Sequence, residues 1–140
     1  MHLSARPAAR LGTLLVTAVL LAGCSSDELD VDGFAPGACT DVAPALQDLD
    51  QALRDYAGED LSRPRAAAEF EAAQDELLAA APEADAPVQE AMTALVTDLG
   101  FLRVATDNEL EDTAPQEDAR ASLGALAQRC GGSAPSTSSY

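Results

Sequence analysis

The 140 residues predict an all-α fold, a small up-down-up-down four-helix bundle. Three observations carry that prediction. Apolar side chains between residues 39 and 130 recur three and four positions apart, the period of one helix face. Prolines and short polar stretches divide the pattern into four lengths. Cys39 precedes the first length and Cys130 ends the last, and these points share one end of a bundle only when the number of alternating helices is even.

The first helix is predicted over 41–57, where Val42, Leu46, Leu49, Leu53 and Tyr56 form a stripe opposite Gln47, Asp48, Gln51, Arg54 and Asp55. Pro44 is placed in its first turn, where a missing N–H is harmless. The second helix is predicted over 63–81, with Ser62 as its cap, Pro64 in its first turn and Pro82 ending it. Its stripe is Ala66, Phe70, Ala73, Leu77 and Ala80. The third begins after Asp85 and ends between Thr106 and Leu110, with Val88, Met92, Leu95, Leu99 and Leu102 on one face. Thr113 and Gln116 read as a capping box for the fourth. Ala119, Leu123, Leu126 and Cys130 follow, and Gly131 terminates it. Alanine dominates the second and fourth stripes, so the helices approach closely but bury little apolar area.

The ends of the chain differ from this body. Residues 24–38 are acidic, carry glycine and proline, and show no sustained period; they are expected to form a flexible tether of roughly 20 Å. Residues 131–140 read as a disordered tail. Residues 1–23 hold Arg6 and Arg10, then an apolar run from 11 to 22. Twelve helical residues reach about 18 Å, short of a bilayer core of about 30 Å, so a cleaved signal peptide is expected rather than a span. The arginines are not adjacent, which favours the general secretory route. The run closes on Leu21, Ala22, Gly23 and Cys24. These four residues resemble the lipobox of bacterial lipoproteins, and the chain is similar in composition to small actinobacterial lipoproteins. The resemblance covers the signal and Cys24 alone. It implies a diacylglycerol thioether (palmitate-type acyl chains) on Cys24, cleavage before it, and anchoring at the outer face of the cytoplasmic membrane. With Cys24 lipidated, Cys39 and Cys130 remain, and in an oxidising compartment they are expected to form a disulfide. Closing about 90 residues, the bridge contributes roughly 4–5 kcal/mol on a chain-entropy treatment.

All eight basic residues are arginine, and there are 24 acidic residues. Without residues 1–23 six arginines oppose the 24 acids, a formal charge of −18. Such a field repels phosphate backbones, so no nucleic acid partner is expected, and it repels anionic headgroups, so membrane attachment calls for a covalent anchor. The one histidine, His2, lies in the signal. A mature chain with no histidine, no lysine and no free thiol lacks the common nucleophile–base pairs and zinc sets, and it holds no glycine-rich phosphate loop. Carboxylates abound, but no pair stands out, so no catalytic residue, metal or cofactor is expected. Glu28 to Gly33 has the look of an EF-hand start but carries Glu at the first position and Cys39 at the last. Asp107, Glu109, Glu111 and Asp112 read as a solvated loop.

On the third helix Phe101 and Val104 point away from the leucine stripe, near Ala94 and Thr97, while Arg103 lies at the stripe's edge. Apolar residues on an outer face can mark a contact site. Two accounts stay open: the more ordinary, that the tether with Phe34 covers them or that the helix is central, and the alternative, that they form a partner surface. Gly100 beside them permits close approach of another backbone. The function expected is a membrane-anchored binding or accessory module contacting an envelope protein. A carrier of a lipid or other apolar ligand within the bundle is the alternative, and an envelope enzyme is a weaker one.

Overall fold

A computed structural model of the protein describes residues 28–132. The expected signal peptide with Leu21, Ala22 and Gly23, the expected lipidation site Cys24, and residues 133–140 of the expected tail lie outside the described residues. Within them the helices are α1 (Ala38–Ala57), α2 (Arg63–Ala80), α3 (Ala86–Asp107) and α4 (Ala114–Arg129), with a 3-10 turn, Ala81–Glu83, between α2 and α3. Neighbours run antiparallel. Gln74 of α2 accepts from Arg103 and donates to the Val96 carbonyl of α3. Ser122 of α4 donates to Asp98 of α3. Gln116 and Arg120 of α4 both donate to the Leu53 carbonyl of α1 at 3.1 Å. At the other end of that last seam Cys39 and Cys130 are bonded, their Cα atoms 5.6 Å apart. The four-helix bundle and its disulfide therefore stand as the sequence predicts.

The predicted stripes form one core. Leu46, Phe70, Leu77, Met92, Leu95 and Leu99 are wholly buried, and Tyr56 meets Phe70 edge to face with centroids 5.9 Å apart. The bounds shift where local chemistry competes with the pattern. α1 starts at Ala38, three residues early, because Ala38 and Cys39 are buried beside the bridge. Pro44 consequently sits inside α1 rather than in its first turn, removing one helical hydrogen bond. Ser62 precedes α2 without a capping bond from its side chain. The capping box is not formed either. Thr113 has φ −85° and ψ −12°, helical rather than extended, so its hydroxyl faces Glu117 instead of a backbone N–H. The Asp112 carboxylate accepts from the Ala114 N–H at 3.0 Å, and Gln116 is drawn to Leu53.

The largest correction concerns residues 28–37, expected to be flexible. They form a strap bound to the bundle. Leu29 is only 1% exposed, and Val31 and Phe34 pack against the core. The Ala35 N–H donates to the Cys130 carbonyl at 2.8 Å. Gly131 and Gly132, assigned to the tail, complete the seat. A Cβ on Gly132 would fall 2.7 Å from the Asp30 carbonyl oxygen and closer still to the Phe34 ring, so only glycine fits there. The C-terminal end of the strap, the disulfide and the α2–α3 turn share one end of the bundle, and from there the strap runs back along α1 as far as Asp50. The α1–α2 and α3–α4 loops make the other.

The strap explains a buried carboxylate. Asp50 accepts from the Leu29 N–H at 3.1 Å and pairs with Arg54 at 3.0 Å. Burial pushes its carboxyl above the ordinary range and prevails over Arg54, the Leu29 N–H and Arg120, which all pull the other way. A raised folded-state pKa means that this group's stabilisation is complete below its ordinary value of 3.8 and is lost as pH rises through the folded value. Asp50→Asn removes that titration. The stability of Asp50→Asn relative to the parent chain should therefore rise between about pH 3 and about pH 7 in paired urea melts. A relative fall over that interval would show that the Arg54 pair outweighs burial.

Candidate functional site

α3 lies between α2 and α4, and its inner face is filled by Val88, Met92, Leu95, Leu99 and Leu102. With those residues inward, the helical period turns Phe101 and Val104 outward. Phe101 is 65% exposed and Val104 58%. The strap does not cover them: Phe34 lies against Gly132, at the disulfide end. Nor is α3 central in the sense of being enclosed. The ordinary account of the pair is thus set aside, and both side chains stand in solvent. Leu110, in the α3–α4 loop, is exposed as well, as is Leu78 on α2.

The polar groups around the pair are already engaged. Arg103 turns towards α2, donating to Gln74 at 2.8 Å and pairing with Glu71 at 3.2 Å. The Thr93 and Thr97 hydroxyls donate to carbonyls one turn back, and the Asn108 amide donates to the Val104 carbonyl at 2.7 Å. Gly100, expected to admit a second backbone, instead faces the Gln74 side chain; a Cβ there would meet Nε2 at an ordinary 3.5 Å. What α3 offers outward is an apolar pair with satisfied polar neighbours, a surface suited to desolvation on contact.

A cleft of about 580 Å³ opens at the loop end, lined among others by Tyr56, Leu61, Leu102, Leu110, Glu59 and Glu109. Arg63 and Glu109 pair across it at 3.0 Å. Glu59 and Glu109 both have positive φ, 62° and 55°, a conformation that costs about 1 kcal/mol for a side chain with a Cβ. Each follows the last residues of a helix, where glycine is usual. Within the Asp107–Asp112 loop Glu109 is held by Arg63 and Asp112 by the start of α4. Among the described residues no group of three or more His, Cys, Asp or Glu is placed to hold a metal ion. The cleft's walls combine apolar side chains with Glu59, Glu109, Glu111 and Asp112, and it lies at the loop end of the bundle.

The described residues thus define a disulfide-tied antiparallel four-helix bundle with an apolar pair on the outer face of its third helix. Comparison with protein-family models, curated proteins and solved structures finds no match for this chain. No helix among the described residues is long and apolar enough to cross a membrane.

Proposed function

We propose that the chain is a lipid-anchored helical accessory module of the bacterial envelope that engages an envelope protein through the outer face of α3. The observation that carries the contact is the exposure of Phe101 and Val104 in a chain whose other helical stripes are buried. The location rests on Leu21, Ala22, Gly23 and Cys24, whose pattern calls for acylation of Cys24 and retention at the outer face of the cytoplasmic membrane. No catalytic step is assigned.

The test places a photoreactive residue at 101, and separately at the exposed position Ala68 on the outer side of α2, in the full chain in intact cells. Position 101 is expected to crosslink to a discrete protein and position 68 is not. A fatty-acid analogue should label the chain, and Cys24→Ala should abolish both the label and membrane retention. Label persisting on Cys24→Ala would remove the anchor from this reading. Equal crosslinking from 68 and 101 would remove the contact face.

A further inference from the structure

We infer that the partner on the outer face of α3 is a protein presenting an apolar surface bordered by lysine or arginine, and that neither the bilayer nor a second copy of this chain occupies the face. The inference rests on the proposed contact face and names the chemistry of what meets it.

Charge is the first argument. Asp98 lies three residues before Phe101 and Asp107 three after Val104, so one carboxylate flanks each side of the pair. Asp98 accepts from Ser122 on α4, and Asp118 stands one turn before Ser122 on the same side of that helix. Among the described residues no ion pair joins an arginine to any of these three. Arg103 is committed to Glu71 and Gln74 on the α2 side, and Arg120 to the Leu53 carbonyl on the α1 side. The face is apolar at its centre and acidic at its edge. A second copy would set these carboxylates against their own images, in chains of formal charge −18 once residues 1–23 are removed. Anionic headgroups are repelled in the same way.

Position is the second argument. Glu28 and Leu29, where the chain from Cys24 enters the described fold, lie along α1 beside Gln47 and Asp50. α1 and α3 are diagonal in the bundle, each packed against α2 and α4. The apolar pair on the outer face of α3 therefore points away from the helix on which the anchored segment arrives.

The test uses the full lipidated protein in phosphatidylcholine nanodiscs with two dye-labelled helical peptides, alike in a leucine face but flanked by lysine in one and by glutamate in the other. The lysine peptide should bind at least about tenfold more tightly, and Phe101→Ser with Val104→Ser should weaken it by about tenfold or more. Asp98→Asn, Asp107→Asn and Asp118→Asn together should reduce both affinity and its salt dependence, which gives a second variant with the apolar pair intact. Equal affinity for both peptides, or unchanged binding by the serine variant, overturns the inference. So does a concentration-dependent dimer that the serine variant abolishes, and so does crosslinking from position 101 into lipid. Each of these leaves acylation of Cys24, read by fatty-acid labelling, as a separate result.

Discussion

Replacing Cys39 and Cys130 together by alanine is expected to lower stability by about 2–5 kcal/mol. The bridge spans 91 residues, nearly the whole described fold, so its removal frees almost the entire unfolded chain. The native state has little to compensate. α2 and α4 contribute alanine at Ala66, Ala73, Ala119 and Ala127, which bury small areas. At its loop end the α1–α4 seam is held by two donors on one carbonyl, that of Leu53. At its other end the same bridge positions Cys130, whose carbonyl anchors the strap through Ala35. The double variant should therefore melt at lower urea and also lose amide protection over residues 28–37. Superimposable melts of the parent chain with and without reductant would show that the bundle holds without the bridge.

Helix number and order were legible because the 3.6-residue period extends over several turns in each segment, and a long pattern tolerates local exceptions. Boundaries were not, because they depend on competitors outside the pattern. Asp112 supplies the carboxylate at the start of α4 that Thr113 was expected to supply as a hydroxyl, and Gln116, read as half of a capping box, reaches a different helix. α1 begins early because a covalent bond at Cys39 holds its first turn, a constraint that periodicity does not register.

The strap was missed for a related reason. Its acidic residues alternate with Leu29 and Val31, and composition outweighed that short period-two signal. Asp50 was missed with it, since a carboxylate facing inward makes sense only when a backbone N–H from elsewhere reaches it. The outward direction of Phe101 and Val104, by contrast, follows from helix geometry alone. Whether anything lay over them depended on where Phe34 goes, which no local rule determines.

Leu29→Ala is the change that separates a strap from a tether. If residues 28–37 were flexible, trimming one leucine would alter stability by a few tenths of a kcal/mol at most. Leu29 is instead 1% exposed, inside the same core cluster as Leu46 and Leu49, and its N–H partners the Asp50 carboxylate. Truncating a leucine so placed costs about 2–5 kcal/mol where surroundings cannot collapse into the void. A strap can escape part of that by peeling away, so about 2 kcal/mol is the expected global loss. Peeling has its own signature. Phe34 would leave Gly132, and the Asp50 carboxylate would exchange the Leu29 N–H for water. Hydrogen exchange of residues 28–37 should then accelerate far more than that of α2 and α3, while Asp50 titrates nearer its ordinary value. An anchor on Cys24 would gain length from the same event, because chain that had been bound becomes linker. Unchanged melting together with unchanged exchange in Leu29→Ala would mean that the strap does not stabilise the bundle.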